Sequence, residues 1–131
     1  MAIPAEGGLV KQYKANFANG APADTAVTVY FTEDGTSQSA DRSPQMQGQG
    51  AAIFLDNPST VGITADIYAT VKIYGAEYDV KLGSFEVAPS SDAGYSVGYG
   101  LIRKNLRVVL KNQEDMPAAA AVTVAIVPSN G

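Results

Sequence analysis

The sequence predicts an all-β fold, an antiparallel two-sheet sandwich of about eight strands, with a jelly roll as first choice of topology and an immunoglobulin-like sandwich as second. Three observations predict it. Apolar and polar residues alternate with a period of two over much of the 131-residue chain, as half-buried strands require. Stretches rich in Gly, Pro, Asn, Asp and Ser punctuate these runs. No apolar run at helical spacing carries helix start and stop signals.

The elements follow in chain order. Leu9 to Phe17 and Ala51 to Asp56 read as strands. Thr25 to Thr32 places Val27, Val29 and Phe31 on one face and Ala26, Thr28, Tyr30 and Thr32 on the other. Ile67 to Leu82 reads as a hairpin. Gly75-Ala76 suits a type II′ turn, which takes glycine at its first central position. Pairing outward sets Tyr74 opposite Glu77, Ile73 opposite Tyr78, Lys72 opposite Asp79, Val71 opposite Val80 and Ala69 opposite Leu82. The core face is then Ile73, Tyr78, Val71, Val80, Ala69 and Leu82. On the other face Lys72 meets Asp79, a cross-strand charge pair worth about 0.2–1 kcal/mol.

After Leu82 the apolar phase shifts to Phe85 and Val87, so a β-bulge is expected at Gly83-Ser84. Tyr95 to Ile102 sets Tyr95, Val97, Tyr99 and Leu101 against Ser96, Gly98 and Gly100. The small face suits close approach of another backbone or subunit. Lys104-Asn105 reads as a tight turn. Leu106, Val108 and Leu110 then alternate with Arg107, Val109 and Lys111, and Val122, Val124 and Ile126 form the last strand.

Residues 1–131 are expected to form one domain. Its unanchored parts are an N-terminal arm, Met1 to Gly8, and a long polar loop, Glu33 to Gly50, whose sizeable apolar residue is Met46. Loops beyond about 12–15 residues inside compact domains are usually functional or disordered.

Composition narrows the function classes. The hydrophobic fraction of 46% supports a real core, whereas charged residues at 17% fall below the usual quarter and leave a surface suited to assembly. A net charge of −4 lacks the cationic surplus that nucleic acid demands. With no cysteine and no histidine, disulfides, ordinary zinc sites and His-assisted nucleophiles are out of reach. No cofactor is expected. No run of about 18 apolar residues marks a membrane helix. The start has neither the basic nor the apolar region of a secretory signal, so the protein is expected to mature where it is made.

Few constellations carry chemistry. Glu77 and Asp79 share a strand face about 7 Å apart, a spacing open to a carboxylate pair of glycosidase type. Against that role, Lys72 would neutralise Asp79, and an acid catalyst needs its pKa raised. Glu33, Asp34 and Asp41 offer hard oxygen ligands without calcium-loop spacing. Arg103, Lys104 and Arg107, with Lys111, form a basic cluster that serves either an acidic partner or edge protection. Tyr68 and Tyr74 face outward, as interface or sugar-stacking aromatics do. The candidate partner-binding residues are Tyr68, Tyr74, Arg103, Lys104, Arg107 and Met46; catalytic and metal residues are not assigned.

With strands such as Leu106-Arg107-Val108-Val109-Leu110-Lys111-Asn112 and Ala121-Val122-Thr123-Val124-Ala125-Ile126-Val127-Pro128, few charges and plentiful Ala, Gly, Thr and Val, the chain resembles small structural proteins of tailed-phage particles. The head decoration (cement) proteins are the nearest type. The resemblance implies a non-enzymatic, often trimeric subunit that sits on a capsid in the virion and bridges its neighbours. The alternative is a carbohydrate-binding or adhesin module, in a phage tail or spike, using Tyr68 and Tyr74.

Overall fold

The period-two pattern becomes seven strands in a computed structural model, which describes residues 11–31 and 49–129. They are β1 (Lys11–Phe17), β2 (Ala26–Tyr30), β3 (Gln49–Asn57), β4 (Ile63–Ile73), β5 (Ala76–Val87), β6 (Ser91–Asn112) and β7 (Ala120–Ser129). The expected arm at Met1 to Gly8 and most of the expected loop, including Glu33, Asp34, Asp41 and Met46, lie outside the described residues. Gln49 and Gly50, assigned to that loop from sequence, already belong to β3.

All pairings are antiparallel, and β6 is the key to the topology. Its 22 residues enter two sheets. The first half pairs with β3, from Asn57↔Ser91 to Ala51↔Val97, in a sheet ordered β1-β7-β3-β6. The second half lies between β2 and β4, in a sheet ordered β2-β6-β4-β5. Counted as two, β6 gives four strands per sheet. The first strand then pairs with the last, the second with the seventh, the third with the sixth and the fourth with the fifth. That nested pattern is the jelly roll. The crossing falls between Val97, opposite Ala51, and Ile102, opposite Val71. Gly98 and Gly100 stand there, where a strand that changes sheets has to bend.

The inner faces meet in one apolar core. Tyr13, Ala15 and Phe17 of β1, Val122, Val124 and Ile126 of β7, and Ile53 and Leu55 of β3 face Val29, Ile63, Ala65, Ile67, Leu106, Val108 and Leu110 of the other sheet. At one open side Phe85 of β5 stacks on Tyr95 of β6, with ring centroids 5.5 Å apart and planes 7° from parallel.

Two buried asparagines hold the loops at one end. Asn57 Nδ2 donates to Val61 O and Ala88 O, and its Oδ1 accepts from the Ser59 amide and hydroxyl. Asn112 Nδ2 donates to Ala21 O, Pro22 O and Glu114 O, and its Oδ1 accepts from Thr25 N.

Four local expectations are corrected. The β4–β5 turn centres on Tyr74-Gly75, with φ of 50° and 81°, the paired left-handed residues of a type I′ turn. Lys72 therefore faces Glu77, and Val71 faces Tyr78. Because the pairing moves by two residues, no side chain changes face. Even so, Ile73 and Tyr78, assigned to the core, are 47% and 52% exposed, because the hairpin runs past the sandwich. The bulge falls at Leu82, left unpaired between Gly83↔Ile67 and Lys81↔Tyr68. Lys104-Asn105 is no turn. Asn105, at φ 57°, is the extra residue of a bulge inside β6.

Candidate binding surfaces

The outer face of the β2-β6-β4-β5 sheet gathers most of the residues singled out from sequence, and it is crossed by ion pairs. Arg107 grips Asp79 with two hydrogen bonds, Nη1 to Oδ1 at 3.0 Å and Nη2 to Oδ2 at 2.7 Å. Its guanidinium also lies 5.2 Å from the Tyr68 ring centroid, covering that ring. Lys104 Nζ meets Glu77 Oε1 at 3.2 Å, and Lys81 Nζ meets Asp66 Oδ1 at 3.2 Å. Arg103 is half-buried, and its Nε has no hydrogen-bond partner among the described residues. The second half of β6 is a central strand, so the basic cluster does not guard an edge.

These contacts set the titration of the face. The hydrogen bonds from Arg107 hold the Asp79 carboxyl below its ordinary range, and they raise Arg107 in turn. Burial pushes Asp66 upward, but the Ser84 hydroxyl, the Lys81 ammonium and the charge of Lys111 together outweigh it and leave Asp66 lowered. A lowered Asp79 is the opposite of what a general acid needs. The Glu77–Asp79 pair is a set of structural ion-pair partners.

The second surface is the hairpin tip. Tyr74 is fully exposed, and Ile73 and Tyr78 beside it are about half exposed. They are the exposed large hydrophobic residues among those described. Val71 and Gln49 both pair with Ile102, and Phe31 N bonds Leu106 O. The chain therefore leaves at Phe31 and returns at Gln49 on the same end of the sandwich as this tip.

Sequence reasoning missed the third surface. On the outer face of the β1-β7-β3-β6 sheet, the registers set two parallel rows. One runs Gln12, Ala125, Phe54, Gly94; the next runs Lys14, Thr123, Asp56, Asp92. Phe54 is out of phase with its core neighbours Ile53 and Leu55, and its ring lies over Gly94, where an added Cβ would come within 2.8 Å of Cδ1. An open groove of about 460 Å³ follows these rows, lined by Gln12, Phe54, Asp56, Asp92, Gly94 and Thr123 among others. Lys14 Nζ donates to Thr123 Oγ1 at 2.6 Å. Asp56 and Asp92 sit directly opposite each other with no ion-pair partner among the described residues.

No family model and no curated protein matches the chain. Solved structures do. The CBM22-1–GH10 modules of a Clostridium thermocellum xylanase, in complex with xylohexaose, align at TM-score 0.50 and 8% identity over 98% of this chain and 26% of that one. A Yersinia pseudotuberculosis-derived mitogen aligns at 0.47 and 9% over 95% and 87%. A chain of deformed wing virus aligns at 0.40 and 7% over 93% and 44%. The likeness is one of fold. Among the described residues, no helix is long and apolar enough to cross a membrane, and no three His, Cys, Asp or Glu side chains group to hold a metal ion.

Proposed function

We propose that the chain is a non-enzymatic virion structural protein that binds and bridges capsid subunits, and that the β4–β5 tip is the part that docks. One observation carries the reading. Tyr74 is a bulky aromatic residue held at φ 50° and fully exposed. A left-handed backbone costs such a residue about 1–2 kcal/mol, and Asn or Gly would form the same turn at lower cost. Local stability does not account for tyrosine there; contact with another molecule does. Ile73 and Tyr78 extend the apolar tip, and tyrosine is favoured at the centres of interfaces.

Below the tip, Tyr68, Arg103, Lys104 and Arg107 form a stiff polar rim. A homotrimer would present three tips, so that individually weak contacts combine into firm attachment. No cofactor, membrane or nucleic acid enters this scheme.

Density-banded particles from infected host cells test it. The chain is expected to run with the particles, and Tyr74→Asn, which eases the turn, is expected to be depleted from them at least tenfold while remaining folded. Absence of the chain from banded particles overturns the virion role. Full incorporation of Tyr74→Asn and of Ile73→Ser overturns the docking role of the tip.

A further inference from the structure

We infer that the groove over Phe54, on the sheet opposite the ion-paired face, is a binding site for a neutral oligosaccharide. Residues on one face of a strand recur every second position, so neighbouring strands lay their outward side chains in rows. Here the small residues Ala125 and Gly94 flank Phe54 in its row. The ring therefore lies against Gly94 and lines the groove. An aromatic face carries partial negative charge. The apolar face of a pyranose carries a patch of slightly positive C–H groups and fits against it.

The next row, one residue pair along, is entirely polar: Lys14, Thr123, Asp56 and Asp92. Hydroxyl groups at the edge of a stacked sugar need both donors and acceptors. The two carboxylates accept, in the charge-assisted bonds that are the stronger kind, while the Lys14–Thr123 pair and Gln12 supply donors. The groove volume of about 460 Å³ falls within the usual range of about 300–1,000 Å³ for small-molecule clefts.

Charge selects the class. Like charges directly opposite on neighbouring strands destabilise a sheet, and Asp56 and Asp92 keep that arrangement with no ion pair among the described residues, the ammonium of Lys14 in the same row being bonded to Thr123 instead. With the net charge of −4, the site repels sialylated, sulfated or phosphorylated glycans and admits uncharged ones. The site goes beyond the docking role of the hairpin tip and lies on the other sheet.

The test is an array of neutral and anionic glycans, followed by titration calorimetry with the neutral oligosaccharide that binds best. Neutral hits are expected, with Phe54→Ala weakening binding at least tenfold. Asp92→Asn separates binding from structure: removing one of two opposed charges is expected to raise the melting temperature while lowering affinity severalfold. The idea is overturned by an array without neutral hits, or by neutral binding that both variants leave unchanged. Calcium chloride titrated alone is the remaining arm. Heat from calcium that Asp92→Asn abolishes, together with no glycan binding, makes the acidic pair a cation site and overturns the proposal. Incorporation into particles is read separately, and the groove variants are expected to leave it intact.

Discussion

Asn112 offers the sharpest test of how the sandwich is held together. Fully buried at the end of β6, it makes four hydrogen bonds: three given by Nδ2 to Ala21 O, Pro22 O and Glu114 O, and one accepted from Thr25 N. At about 1 kcal/mol net each, the four would be worth about 4 kcal/mol if independent. Three partners keep a second contact: Ala21 O still accepts from Met116 N, Pro22 O from Thr25 Oγ1, and Thr25 N still reaches Pro22 O. The expected cost of Asn112→Ala is therefore about 2–3 kcal/mol. Asn112→Asp is expected to cost more, because a carboxylate would face three carbonyl oxygens in place of an amide donor. Urea denaturation at pH 7 reads both. With a slope of about 1–3 kcal/mol/M, the Ala variant moves the midpoint down by about 1–2 M without changing the slope. A loss below about 0.5 kcal/mol, the range of neutral surface changes, or an Asp variant milder than the Ala variant, refutes the reasoning.

Other outcomes are expected on the same protein. Gly83→Ala would place a Cβ 2.5 Å from Tyr95 Cε2 and 2.6 Å from its hydroxyl oxygen; overpacking of this kind costs about 1–3 kcal/mol, seen as a lower urea midpoint with a weakened near-UV tyrosine signal. Tyr74→Asn is expected to stabilise by about 0.5–1 kcal/mol, since asparagine tolerates the left-handed turn; a lower melting temperature would count against the strain at Tyr74. Asp66 and Asp79 titrate below the ordinary carboxylate value in the folded chain. Their contribution is present above the unfolded value of about 3.9 and is lost as pH falls through the lower folded values. The urea midpoint should drop below about pH 4, and Asp66→Asn should flatten that drop.

The fold was legible because two-sided burial imposes alternation, and Val122, Val124, Ile126, Leu106, Val108 and Leu110 state it plainly. Strand order was not, since it depends on which edges meet in space. The hairpin turn was misplaced by one residue because sequence preference puts Gly or Asn at the first left-handed position, and tyrosine occupies it. Asn105 misled in the opposite sense: a residue that favours left-handed backbone marks a bulge as readily as a turn. Of the candidate residues, the structure brings Tyr68 together with Arg107, places Lys104 on Glu77, and sets Tyr74 apart at the tip. The groove went unread although a signal was present. Phe54 breaks the alternation of Ile53 and Leu55, and an aromatic on the wrong face of a strand is a question about what covers it.

The shared strand has a mechanical consequence. The first half of β6 supplies Asp92 and Gly94 to the groove, and the second half supplies Lys104 and Arg107, which brace the hairpin through Glu77 and Asp79. One unbroken length of backbone thus acts as a strut between the two working ends. A load applied at either end is carried along the polypeptide itself, and the two layers cannot slide apart as independent plates.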